Sequence, residues 1–97
     1  MKRFGEGVMY RMVGHGFDPI KIVSRSKSGK TVVCQYGNGK PFRLKVREHI
    51  VSNSEYVVAD PSYKEGSAER WDLTCFAEDA LTEAEQREWE EMYERSN

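Results

Sequence analysis

Residues 20–47 read as three short strands punctuated by two glycine turns, and no other stretch restricts the fold so tightly. Ile20-Lys21-Ile22-Val23 opens a strand that runs to about Arg25, and Ser28-Gly29 signals a tight turn. Thr31–Tyr36 (TVVCQY) follows, dense in the β-branched residues that suit a pleated, half-buried surface. Gly37-Asn38-Gly39 then separates it from Pro41–Arg47. An Asn-Gly pair between strand-like runs fits a type I′ hairpin turn, whose two central residues both need positive φ. The segment is expected to form a three-stranded antiparallel meander.

The flanking sequence extends this β pattern. Val8–Val13 (VMYRMV) has strand character and is broken by Gly14-His15-Gly16-Phe17-Asp18-Pro19. Tyr56–Ala59 reads as a fifth strand, Asp60–Glu69 as a polar surface loop, and Trp71–Phe76 (WDLTCF) as the strand that closes the sheet. The period then changes. Thr82-Glu83-Ala84-Glu85 fits a capping box, and Leu81, Trp89, Met92 and Tyr93 follow at helical spacing, which predicts an amphipathic helix over about 83–95. The expected architecture is mainly β, α+β in class: one domain over 1–97, with an SH3-like barrel or curved antiparallel sheet of five or six strands over 8–76. An acidic helix over 82–95 would pack across its open end.

Charge is segregated along this chain. Residues 20–49 hold eight Lys/Arg and one acid, a net +7, and residues 78–97 hold eight acids and two arginines, a net −6; the whole-chain value of −1 conceals both. In the fourth strand Phe42, Leu44 and Val46 alternate with Arg43, Lys45 and Arg47, so a period of two sends the apolar set inward and the cations outward. Lys27, Lys30 and Lys40 in the adjoining turns would enlarge this patch, which has the electrostatic character that suits a phosphate backbone. Such a face is equally the ordinary wet side of an antiparallel sheet, or an edge strand charged against aggregation. Tyr36, Tyr56 and Tyr63 are the candidates for base stacking, with Tyr36 expected to point inward beside Cys34. The acidic helix has three readings. It solubilises the domain, it shields the basic face until displaced, or it presents negative charge to another protein. Trp89, Met92 and Tyr93, with Glu90 and Glu91 beside them, are the candidate docking or partner-binding residues.

Several chemistries find no support. Ser24–Thr31 (SRSKSGKT) falls one residue short of a phosphate loop and leads into a strand, not a helix, so it reads as a hairpin turn. Cys34, Cys75, His15 and His49 show no zinc-ligand spacing, and the two cysteines are expected to be buried thiols. His15 is a loop residue and His49 a strand-end surface residue by this reading. No nucleophile stands beside a base, so the chain is expected to be a non-enzymatic binding module without cofactor or metal. No apolar run reaches the roughly 20 residues of a membrane span. The start lacks the apolar core of an export signal, so a cytoplasmic location is expected.

Residues 19–47, PIKIVSRSKSGKTVVCQYGNGKPFRLKVR, resemble small SH3-like barrel proteins encoded by bacteriophages and mobile elements. The resemblance implies a five- or six-stranded barrel with a binding role toward nucleic acid or a host protein. It carries no functional residues over. Three functions remain open: nucleic-acid contact through the basic face, modulation of a host or defence enzyme through the acidic helix, and an accessory homodimer whose oligomeric state sequence leaves undefined.

Overall fold

The computed structural model describes residues 1–96, which form seven antiparallel strands and two helices. The strands are β1 (Met9–Met12), β2 (Ile20–Arg25), β3 (Thr31–Tyr36), β4 (Phe42–Lys45), β5 (Arg47–His49), β6 (Ser54–Val58) and β7 (Thr74–Ala80). Helix α1 (Ala68–Asp72) precedes β7, and α2 (Glu83–Arg95) follows it. Sheet order is β4-β3-β2-β1-β7-β6-β5. The two outermost strands, β4 and β5, are consecutive and separated only by Val46, so the chain itself bends from one edge of the sheet to the other and nearly closes a barrel. At this bend the Val46 N–H donates to the Lys30 carbonyl at 2.9 Å, so the backbone polar group stays paired.

The expected meander over 20–47 is present as β2-β3-β4, with Ile20, Ile22, Val32, Cys34 and Leu44 buried in the core. Phe4, Tyr10, Met12, Val57, Cys75 and Ala77 complete that core from the other strands. Four sequence expectations are corrected. The run Pro41–Arg47 is two strands rather than one, because closing a small barrel requires the sharp turn at Val46; this raises the strand number to seven. Trp71 and Asp72 belong to α1, whose first turn is capped by the Ser67 hydroxyl accepting from Arg70 N–H at 3.3 Å, so the closing strand begins at Thr74. That strand continues to Ala80, which pairs with Tyr10, so the barrel ends there rather than at Phe76. In the β3–β4 turn the left-handed residue is Gly37 (φ 57°) and not Asn38; the Gly39 N–H donates to Tyr36 O at 3.0 Å, placing glycine at the first central position. Asn38 is drawn elsewhere, donating from Nδ2 to Ser96 Oγ at 3.1 Å.

A bulge in β2 reverses the outlook of Arg25. Ile22 pairs with Cys34, but Ser24 pairs with Val33, leaving Val23 as the extra residue on an exposed face. Arg25 therefore shares the inward face of Val32. There it donates to Glu55 through Nη1 at 2.7 Å and Nη2 at 2.6 Å, and also to the Phe4 and Gly29 carbonyls at 3.1 and 2.9 Å. Glu55 in turn accepts from Phe4 N–H at 2.9 Å. One ion pair thus ties the N-terminal segment, the β2–β3 turn and β6 together at one end of the barrel.

Candidate nucleic-acid interface

The outward series of the fourth and fifth strands is the core of the site. Arg43 stands opposite Val33 and Lys45 opposite Thr31, both cations exposed. Beyond the bend, Arg47 pairs with Tyr56 on β6. Alternate residues along a strand lie roughly 6.6 Å apart, so Arg43, Lys45 and Arg47 form a short row that turns the corner with the barrel. Lys40 lies in the turn before this row, and Lys27 and Lys30 lie in the β2–β3 turn beside Lys45. Among the described residues none of these six cations makes a salt bridge.

Arg47 opens onto an aromatic floor. Cross-strand register places Arg47, Tyr56 and Phe76 in one line over β5, β6 and β7. The Tyr56 and Phe76 rings lie 5.5 Å apart, His49 meets Phe76 edge-on at 5.5 Å, and Trp71 does so at 5.8 Å. Helix α1 and the turn before it raise one wall over this floor, enclosing a pocket of about 290 Å³ lined by both Arg47 and Arg70. Arg70 holds the wall in place, donating to the Pro61 and Tyr63 carbonyls at 2.9 and 3.1 Å. His49 Nδ1 accepts from the Ser52 N–H at 3.2 Å, which puts the neutral ring's proton on Nε2. The arrangement offers a flat ligand stacking surfaces beside the Arg47 and Arg70 guanidinium groups, with the Glu65 carboxylate on the same lining.

Of the three tyrosines proposed for stacking, only Tyr56 reaches this pocket. Tyr36 is not core: it sits at the strand end, half exposed, where its hydroxyl accepts from Asp18 N–H at 3.0 Å. Tyr36 and Tyr63 line a separate cleft with Phe17 and Phe42. Trp71, Phe76 and Arg70 were not singled out from the sequence, and no local signal marks them, because the β6–β7 register and α1 bring them together. The cysteines take no part. Both are buried, and burial pushes the Cys34 thiol up to about 12 and raises that of Cys75 as well.

Helix α2 does not shield the basic row. It lies along β1, β2 and the β3–β4 turn, where Glu90 meets Lys21 at 3.5 Å and Glu85 pairs with Arg11. The expected capping box is present, with Thr82 and Glu85 each satisfying the other's backbone N–H. Its docking face is more polar than the expected Trp89, Met92 and Tyr93 stripe. Gln86 accepts from Met9 N–H at 3.0 Å and donates to Gly7 O at 2.9 Å, completing the backbone pairing beside β1. Trp89 and Tyr93 are half-buried, and the Tyr93 hydroxyl donates to Asp18 Oδ2 at 3.2 Å. Met92 is 44% exposed, because the polar contacts of Gln86 and Glu90 rotate it away from the barrel. Glu91 also faces outward, with Arg95 at 3.9 Å as its partner.

No family model, curated protein or solved structure matches the chain. Among the described residues no helix is long and apolar enough to cross a membrane.

Proposed function

We propose that this domain binds single-stranded nucleic acid, holding the backbone along Arg43, Lys45 and Arg47 and an unpaired base on the aromatic floor behind Arg47. The observation that carries this reading is the continuity of the two: a row of unpaired cations ends at an arginine that lines an aromatic pocket. A wet sheet face explains the cations but not the pocket, and a core-type aromatic cluster explains the rings but not the two arginines over them. Single strands suit the geometry because their bases can splay onto aromatic side chains while the phosphates follow a basic track. Lys27, Lys30 and Lys40 widen the track.

Fluorescence anisotropy with labelled oligonucleotides at several salt concentrations tests this. The logarithm of the affinity should fall linearly with log salt, and Arg43→Gln/Lys45→Gln should flatten the slope by roughly 1.4, at about 0.7 per lost phosphate contact. Trp71→Ala, at an exposed position, should cost about 1–3 kcal/mol without changing the slope, as loss of one stacked base would. No binding at low salt, or binding indifferent to all three changes, overturns the reading.

A protein partner on the outer face of α2 is the second reading, and the exposure of Met92 beside Glu88 and Glu91 supports it. Modulation of a host or defence enzyme, or a homodimer, would use this face. A chain ending after Thr82 separates the two functions, because it keeps all of β7.

A further inference from the structure

The two most exposed large apolar side chains of the described residues are neighbours. Ile50 is 85% and Val51 92% exposed, and together they form the tip of the β5–β6 hairpin. β-branched aliphatic residues lose apolar burial at such a position, and solvent-facing turns ordinarily take Gly, Asn, Asp or Ser. This tip is also firmly held. Asn53 takes the left-handed conformation (φ 53°), its N–H donates to Ile50 O at 3.1 Å, and its carbonyl accepts from Lys2 N–H at 2.9 Å. Glu55 N–H donates to Lys2 O at 2.9 Å, so the N-terminal segment runs alongside as a brace, and the His49 ring holds Ser52 at 2.7 Å. These bonds hold Lys2 beside the tip, Glu78 lies next to it with its N–H donating to Ser54 Oγ at 3.1 Å, and His49, adjacent to Ile50, lines the aromatic pocket with Arg47. Glu48 is the one acid within β5, and its register partner Glu55 is engaged by Arg25.

We infer that the Ile50-Val51 tip is a wedge that packs against the terminal base pair of a duplex where it meets a single strand. This rests on the nucleic-acid reading above and names its substrate: a junction, with the single strand on the basic row and the duplex end against the tip. Two features single out this occupant over a protein or a lipid surface. The apolar tip is continuous through His49 with the aromatic pocket and Arg47, and Lys2 is bound beside it. Apolar side chains of this kind insert at or between base steps in nucleic-acid binders, while cations beside them hold the phosphates.

The test compares three labelled oligonucleotides (a single strand, a blunt duplex and a duplex with a single-stranded overhang) with a 2-aminopurine at the terminal pair of the junction. Wild-type protein should prefer the junction over both others and raise 2-aminopurine fluorescence. Ile50→Ser/Val51→Ser, at positions that support no packing, should lower junction affinity by roughly tenfold, or about 1.4 kcal/mol, and leave single-strand affinity unchanged. Equal affinity for junction and single strand, or a junction preference that survives the double substitution, overturns the wedge while leaving the proposed function standing. Binding to none of the three overturns both. Light scattering of the same two proteins supplies the last arm: a wild-type dimer that the double substitution dissolves makes the tip a contact between copies and overturns the proposal.

Discussion

Removing the Glu55 carboxylate should destabilise the barrel more than any single change on its surface. The Arg25 and Glu55 side chains are 18% and 7% exposed, and the pair is bidentate at 2.6 and 2.7 Å. Glu55→Ala leaves a largely desolvated guanidinium without its counter-charge and the Phe4 N–H without its acceptor. Breaking such a pair by deleting one partner costs about 3–5 kcal/mol, and the residual exposure of Arg25 argues for the lower end, about 3 kcal/mol. Set against a total stability of about 5–15 kcal/mol, that is a large fraction. Urea unfolding reads it directly: with a slope of about 1 kcal/mol/M, the midpoint should fall by about 3 M. Replacing both residues, Arg25→Met/Glu55→Leu, should recover most of the loss, because no buried charge is then left alone. The pH dependence supplies a second axis. Burial by itself would raise the Glu55 carboxyl, but the Arg25 hydrogen bonds and the Phe4 N–H outweigh it and hold it below the ordinary range. A depressed carboxyl contributes stability that is fully present above its unfolded value of about 4.3 and is lost as pH falls through the lower folded value. Wild-type protein should therefore weaken progressively below about pH 5, and Glu55→Ala should show a shallower acid limb. A Glu55→Ala loss under about 1 kcal/mol, the scale of an exposed ion pair, would refute the reasoning, as would a double variant no more stable than the single one.

Two further outcomes follow from the packing of α2 and of the core. Gln86→Ala should free the Met9 N–H and the Gly7 carbonyl at once, costing about 1–2 kcal/mol, and native-state hydrogen exchange should show the Met9 and α2 amides exchanging roughly tenfold faster; unchanged protection would mean that the helix is held by Trp89 and Tyr93 instead. Cys34, with its thiol pushed up to about 12, and Cys75, equally buried, should resist alkylation at pH 8 until the chain is unfolded; labelling of the native protein at the rate of a free thiol would place one of them at the surface.

Strand positions and faces were legible where two signals coincide. In β3 and β4 the alternation and the glycine turns agree, and Val32, Cys34 and Leu44 face the core as the pattern requires. The same agreement placed Arg43 and Lys45 outside and Leu44 inside. Legibility failed where one residue changes the period. The bulge at Val23 turns Arg25 inward, yet IKIVSR contains nothing that distinguishes it from a regular strand. The bend at Val46 depends on barrel closure, a property of the whole sheet. The α1 helix is only five residues long, too short for an apolar stripe, so Trp71 was assigned to the strand that follows it. The aromatic pocket was hidden for a related reason: His49, Tyr56, Trp71 and Phe76 are spread over 28 positions of sequence, and only register across three strands assembles them.

The acidic helix and the basic segment answer each other only in part, and what remains has a directional consequence. Glu85 and Glu90 are spent on Arg11 and Lys21, and Glu55 on Arg25, so these contacts neutralise cations at β1 and β2. Among the described residues nothing comparable reaches Lys40, Arg43, Lys45 or Arg47. Glu83, Glu88, Glu91 and Glu94 of α2 are likewise exposed to solvent. The sequence dipole therefore survives folding as a surface dipole, with the β4–β5 edge positive and the helix face negative. An approaching polyanion is repelled by one and drawn to the other, so the field turns the barrel before contact is made. Such steering weakens over a Debye length of about 8 Å at physiological salt. Charge reversal on the outer face of α2, Glu88→Lys/Glu91→Lys, would consequently leave the contacts of the bound state intact and change the rate of encounter, with little effect on dissociation. If the dissociation rate responded instead, the helix would have to touch the ligand, and the docking of α2 over β1 and β2 would have to open in the complex.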